Sequence, residues 1–329
     1  MRIRLPAALT LASALLAATA CEPPFGLGLP ATRAVENGAV STLEAARSLE
    51  ISGTYNDSGQ TWSLDVQVLR PDSEHAIVDG PPGKLEAIVL GKEGYFRGQE
   101  FLSQHMGSDP ISRNLVKAAG SGWWKGSAAD APRLPDLTGG DLFRATFLGS
   151  AVTQRTDGLV VDGLSAVELA GPRAEVFISE SAPYRLLRVH LRKGVTVDGL
   201  MEADLRYRNF ERDFGIVAPA DVIDFSNLST LPPIYTVLSV DASRCGSPCV
   251  VSALLKNLGA TRGAVAPSTV TFKMTDAASG KVVGACRVDV KPDVPYNMTT
   301  TVSCTIPPPE GGAASAATIT ATPDNPGRG

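Results

Sequence analysis

The clearest alternation in the chain lies at Thr61–Leu69, where Trp62, Leu64, Val66 and Val68 alternate with Ser63, Asp65 and Gln67. A period of two puts one set on a buried sheet face and the other in water. Just upstream, Leu49, Ile51 and Tyr55 alternate with Glu50, Ser52 and Thr54. The intervening "NDSGQ" is turn chemistry, so the two runs predict a hairpin. Lys84–Gly98 predicts a second strand pair, broken between Gly91 and Gly94. Later, Leu187, Val189 and Leu191 oppose Arg188, His190 and Arg192, and Leu205 and Tyr207 oppose Arg206 and Arg208. Helical runs are few. One is expected at about Val35–Arg47. Two short pieces fall in Gln99–Gly120, which carries Phe101, Leu102, Met106, Ile111, Leu115 and Val116 and is interrupted by Gly107 and Pro110. Another is expected in Leu137–Gly149, with Leu142, Phe143 and Phe147. Helices inserted into one long antiparallel meander need an apolar surface, and the open apolar face of the sheet supplies it. Beyond residue 235, evenly spaced strands with Gly, Asn and Pro turns and no clear helix predict a small β-sandwich. The expected fold is mainly β, with an α+β first domain.

The N-terminus has a separate logic. Arg2 and Arg4 precede the apolar Leu5–Ala18, and Ala18-Thr19-Ala20 offers the small residues a signal peptidase needs. The run is too short to span a bilayer and reads as a secretory signal over 1–20. Cys21 follows at once, in a pattern that resembles a bacterial lipobox, with Ala18 where that pattern usually has Leu. The resemblance implies diacylation of Cys21 and a lipid anchor on the extracytoplasmic face of the cell membrane. An ordinary secretory signal with an incidental cysteine is the alternative. The Pro/Gly-rich stretch to residue 35 reads as the tether.

Charge narrows the partners. Removing residues 1–20 takes away two Arg and no acid, so the formal charge moves from −4 to −6. Nucleic acid, which needs a basic footprint, is excluded as a partner. The remaining cysteines are Cys245, Cys249, Cys286 and Cys304, an even number in an exported chain, which reads as two disulfides. Of three pairings, Cys245–Cys249 and Cys286–Cys304 is favoured, the second joining two strands of a hairpin that bends near Pro292–Pro295. A zinc site is the weaker alternative, because the Cys-x3-Cys spacing leaves the other two cysteines far apart.

Several segments together resemble a known family: the lipobox, "SLEISGTY…TWSLDVQV", "AIVLGKEGYFRG" before a helical insert, "GWWKG" after it, and "RNFERDFGIVAPADVIDF". Their order and spacing over about residues 36–228 are similar to the LolA-like half-barrels, in particular the LppX/LprAFG lipoproteins of the actinobacterial envelope. The resemblance implies a curved antiparallel sheet, covered by helices, whose concave apolar face holds acyl chains of lipids or lipoproteins. Ser229–Ile234 ("STLPPI") reads as a linker. Residues 235–322 resemble the immunoglobulin-like modules (FxLYD or CARDB type) of bacterial surface proteins, and 323–329 reads as a flexible tail.

On that footing the candidate cavity residues are Leu49, Ile51, Trp62, Leu64, Val66, Val68, Leu187, Val189 and Leu191. An apolar site needs no motif, since each buried CH₂ contributes about 0.8 kcal/mol. The same residues also suit a filled core, the usual fate of an apolar face. No nucleophile elbow, phosphate loop or zincin helix occurs in the sequence. His75, His105 and His190 lack metal-ligand spacing, so no catalytic residue, metal or cofactor is expected. Trp123 and Trp124 should point opposite ways, one inward and one to a rim. Arg185, Arg188, Arg192, Arg206 and Arg208 read as a wet sheet face, or as a dock for anionic headgroups. The expected function is a membrane-anchored carrier of acyl chains or glycolipids in the cell envelope, with an envelope protein as a candidate partner of the second domain. The alternative is a lipid-anchored adhesion protein with a filled core that binds a protein or glycan.

Overall fold

The computed structural model describes residues 29–81, 83–131, 137–148, 152–197, 199–246, 248–308 and 317–328, with backbone alone at 110, 111, 141, 142 and 148. The signal stretch and Cys21 lie outside these residues.

Helix α1 (Thr32–Ala45) leads into β1 (Ser48–Asp57) and β2 (Gln60–Leu69). These pair with Leu49 opposite Val68, Ile51 opposite Val66 and Tyr55 opposite Trp62, as the alternation requires. The two-residue turn uses Ser58 and Gly59, both at positive φ (51° and 78°), the backbone that matches the twist of a hairpin. The meander continues through β3 (Ser73–Gly80), β4 (Gly83–Leu90) and β5 (Glu93–Arg97). Helices α2 (Gln99–Met106) and α3 (Pro110–Ala119) follow, then β6 (Trp124–Ser127). Helix α4 (Gly140–Phe143), which runs into one π turn at Arg144–Leu148, connects to a second meander. That meander comprises β7 (Gln154–Val161), β8 (Leu164–Ala170), β9 (Ala174–Ser179), β10 (Leu186–Leu191), β11 (Thr196–Val197) and β12 (Leu200–Arg208).

All twelve strands join one antiparallel sheet in the order β6-β5-β4-β3-β2-β1-β12-β10-β9-β8-β7, with β11 beside β12. The two meanders meet at β1 and β12, and β6 and β7 are the edges of a half-barrel. The chain must therefore pass from one edge to the other between β6 and β7, and the described residues 137–148 of that connection lie over the apolar face, with Leu137, Phe143 and Phe147 in its core.

That face is one row after another of directly paired positions. Tyr207, Ile51, Val66, Ala76, Ala87, Phe96 and Trp124 form a line across seven strands. Two separate clusters cover it. Val35, Ala39 and Leu43 of α1, with Phe143 and Phe147, pack on β1, β2 and β8–β12. Leu102 of α2 and Val116, Ala118 and Ala119 of α3 pack on Leu85, Phe96 and Trp124.

Strands β13 (Tyr235–Asp241), β14 (Cys249–Asn257) and β17 (Thr299–Ile306) form one small sheet; β16 (Val282–Asp289), β15 (Thr269–Asp276) and β18 (Ala317–Asp324) form another. Val251, Ala253 and Leu255 from one and Val270, Phe272 and Met274 from the other share a core, so the two sheets make a sandwich.

Four expectations need correction. The disulfides are Cys245–Cys249 and Cys286–Cys304, but β16 and β17 belong to different sheets. The second bridge therefore crosses the sandwich rather than a hairpin, because the chain changes sheet between residues 290 and 298. The linker is not free: Leu231 and Ile234 are buried in the α2–α3 cluster, since the chain leaving β12 returns across that cluster. The stretch expected as a flexible tail, 323–329, is ordered over its described residues 323–328, because β18 extends to Asp324 and Asn325 and Arg328 are hydrogen-bonded to the sandwich and the half-barrel respectively. Finally, a β-bulge between Leu186 and Arg188 puts Leu186, not Leu187, into the main core beside Val189 and Leu191.

Candidate functional site

The residues expected to line a cavity are packed by other side chains. Leu49, Ile51 and Val189 are fully buried and Leu191, Leu64 and Val66 nearly so. All six belong to the cluster beneath α1, with Trp62 and Val68 partly buried at its margin. Trp62 stacks near Tyr55, ring centres 6.5 Å apart, and lies so close to Gly80 that a Cβ there would sit 2.3 Å from the indole. Leu187 is buried, but outside that cluster.

The discontinuity in the covered face is one strand further on. Ala76 belongs to the cluster beneath α1 and its direct partner Ala87 to the cluster beneath α2–α3. Two methyl groups facing each other leave a seam where the neighbouring rows carry larger side chains. A cavity of about 20 Å³ opens there, lined by Glu74, Ala76 and Val78 of β3, Leu85, Ala87 and Val89 of β4, and Ala131. This is room for about one water. At one end stands Glu74, paired with Val68 on one side and Val89 on the other. Burial pushes its carboxyl above the ordinary 4.5, because the charged form loses solvation there.

The α2–α3 side of the seam is aromatic. Trp124 packs against Phe96 at 4.7 Å, His105 at 5.3 Å and Phe101 at 6.1 Å. Trp123 points the other way and carries the Arg97 guanidinium over its ring at 4.9 Å, so the two tryptophans divide as expected.

The opposite sheet face is wet and internally paired. Glu86 accepts from His75 Nε2 at 2.9 Å and from Arg97. Burial works to raise the Glu86 carboxyl, but the bonds from His75 and Arg97 outweigh it and hold the group below its usual range. Arg188 donates to Asp204 at 2.7 and 2.5 Å. Arg206 and Arg208 share Asp162, Arg192 lies 4.0 Å from Glu175, and Arg185 lies over Phe210. These arginines are spent on neighbours and do not form a free cationic cluster. A polar cavity of about 280 Å³ opens near the end of β5, lined by Lys84, Glu86, Arg97, Gly98, Gln99 and Ser121.

Sequence reasoning did not find Glu74, Ala76 and Ala87. Their signal is a strand in which the expected large apolar residues are replaced by alanine, and β3 is too mixed in polarity to be read as that strand. Cys21 lies outside the described residues. The four other cysteines are all in disulfides, which removes the zinc alternative and marks a chain that folds in an oxidising, exported setting. Among the described residues no helix is long and apolar enough to cross a membrane.

The fold and site thus define an exported, mainly β protein: a helix-covered half-barrel joined to a six-stranded sandwich. No family model matches the chain, and no curated protein matches it. A solved structure described as MucB in complex with MucA(peri) is similar at 13% identity and a TM-score of 0.27, covering 90% of this chain and 98% of that chain.

Proposed function

We propose that residues 36–228 bind the acyl chain of a lipid or glycolipid along the β3–β4 seam and carry it in the cell envelope, with Cys21 as the membrane anchor. The observation that carries this reading is the seam at Ala76 and Ala87. There two independently covered apolar clusters meet with nothing larger than methyl groups between them. The covers differ in kind. Helix α1 is continuous with the central strands, whereas α2 and α3 are an insert between β5 and β6. Parting the insert from β4 widens the seam without disturbing β1, β2 or β12.

The mechanism is partition and shielding, with no covalent chemistry. At about 20 Å³ the seam has room for about one water, so an alkyl chain enters only as the insert lifts. Each methylene that enters contributes about 0.8 kcal/mol, and this offsets the cost of moving the insert. Glu74 at the seam's end gives the ligand's polar end a hydrogen-bonding group, while the alkyl tail runs past Ala76 and Ala87 toward Val78 and Leu85.

The test is native mass spectrometry of the exported full chain carrying Cys21→Ser, so that the anchor adds no lipid, with organic extraction of the same sample. A released acyl lipid is expected, and its loading should fall at least about tenfold in Ala87→Leu. A lipid-free mass with no uptake of added fatty acid overturns the reading. It would leave the lipid-anchored adhesion protein with a filled core, which the close packing of Leu49, Ile51, Val66 and Val189 would then describe in full.

A further inference from the structure

Residues 325–328, Asn-Pro-Gly-Arg, leave β18 and run back onto the half-barrel. Asn325 fixes the start by gripping one residue twice: its Oδ1 accepts from Tyr235 N at 2.9 Å and its Nδ2 donates to Tyr235 O at 3.0 Å. Gly327 O accepts from Val265 N at 3.1 Å. Arg328 N then donates to Ala118 O at 3.1 Å, in the last turn of α3. Its guanidinium donates to Asp221 O at 2.6 Å and to Thr230 O at 3.0 Å. Lys117 Nζ meets Asp324 at 2.6 Å beside it.

The approach is backbone to backbone, and glycines permit it on both sides. A Cβ on Gly327 would lie 2.1 Å from Lys117 O. A Cβ on Gly120, which sits at φ +55°, would lie 2.0 Å from Arg328 O, and one on Gly122 would lie 2.9 Å from Arg328 Cδ. The last carbonyls of a helix have no partner within it, and a cation near them is favourable. Gly120 N and Gly122 N serve Val116 O and Ala119 O, and Arg328 N serves Ala118 O between them, so a strap issuing from the sandwich completes the C-terminal cap of α3. The same helix places Val116, Ala118 and Ala119 in the cover on one side of the seam.

We infer that residues 324–328 are a latch through which the sandwich holds the α2–α3 insert down on the sheet. Docked, the strap ties α3 to the sandwich at Tyr235 and Val265 and to the 221–230 segment. Undocked, α3 loses the partner of Ala118 O, and the insert, whose Leu102 and Val116 pack with Leu85, Phe96 and Trp124 of the sheet, is free to lift. Anything that pulls on the sandwich then acts on the cover of the half-barrel. The consequence for ligand entry rests on the proposed acyl-chain reading; the latch itself does not.

The experiment is hydrogen exchange on the full chain, comparing the wild type with Arg328→Ala and, as a stronger variant, Gly327→Val. Exchange at amides 113–120 is expected to rise about tenfold or more in both, with β1, β2, β14 and β15 unchanged. Unchanged exchange in α3 of a folded Arg328→Ala protein overturns the latch. If Gly327→Val loses its sandwich signals, Arg328→Ala, which removes the two guanidinium bonds to Asp221 O and Thr230 O that seat the strap, decides alone. Uptake of a fluorescent fatty acid is measured on the same samples. Faster loading in the variants supports coupling to the seam. Faster α3 exchange with no loading in any protein leaves the latch standing and removes the acyl-chain reading.

Discussion

Glu74 is a carboxyl on the apolar side of a sheet, and that position gives it a pH signature. Burial raises its folded-state value above 4.5, while in the unfolded chain it stays near the ordinary one. Below about 4.5 it is neutral in both states and costs nothing extra. As the pH rises through the raised value, the folded protein must either keep a proton the unfolded chain has released or bury a charge. Stability is then lost. Glu74→Gln should therefore be more stable than the wild type at pH 7, with the difference shrinking toward pH 4. Urea melts across that range would measure it, and a difference independent of pH would show that the carboxyl is not strained by burial. At this scale the sequence was a fair guide to which way side chains point: Ile51, Val66 and Val189 are inward, Arg188 and Arg206 outward, and Trp123 and Trp124 divided. It failed at Leu187, where one bulged residue moves the inward role to Leu186. It also failed at Ala76 and Ala87, because alanine is small enough to define a gap yet too common to announce one.

At the scale of elements, α1 ends without a basic residue in its last turn, and the missing cation comes from the β2–β3 turn. Arg70 Nη1 donates to Leu43 O at 2.8 Å, Glu44 O at 3.0 Å and Ala46 O at 2.5 Å, and Nη2 to Thr138 O at 2.7 Å. One guanidinium thus caps the helix and holds the chain entering α4. Arg70→Ala should lower stability by about 2 kcal/mol and speed exchange in the last turn of α1 and at 137–139. Arg70→Lys, a point charge without the planar fork, should recover only part of this. If Arg70→Lys restores full stability, the cap is electrostatic and the fork is irrelevant. The elements found from sequence were those with strict alternation or clear interruption. The first hairpin held to its register, and α2 and α3 separate at Gly107–Asp109. Strand β3 escaped notice because Ile77 faces out while Glu74 faces in. Strands β7 to β9 escaped because Gly158 breaks one run and Phe177 faces outward over Arg188, which blurs the alternation.

At the scale of the whole molecule, proline and small polar residues misled. "STLPPI" has the composition of a linker, yet Leu231 and Ile234 are core residues where the two units meet. The Ala/Thr alternation of β18 follows a Gly/Ala/Pro-rich stretch and hides a strand whose far end is the strap on α3. Among the described residues the units nevertheless keep separate buried cores: the one beneath α1 ends at Tyr207, with Phe210 at its margin, and the sandwich core begins at Tyr235. This predicts how the Cys286–Cys304 bridge acts. It joins the two sheets of the sandwich across a sequence separation of 18, and closing a loop of that size stabilises by about 3 kcal/mol. Replacing both cysteines by alanine should lower the sandwich's unfolding free energy by about that amount. It should leave exchange in β1 and β2 unchanged, while β14, β15 and, through the strap, the end of α3 open more often. Cys245–Cys249, four residues apart where β14 begins, closes a shorter loop and is expected to stabilise by about 1 kcal/mol less. Removing it should matter less, and an equal loss from either bridge would mean that chain entropy is not what the bridges supply. A single cooperative transition that carries β1 and β2 with the sandwich would show instead that the contacts at Leu231, Ile234 and Arg328 fuse the two units into one folding body.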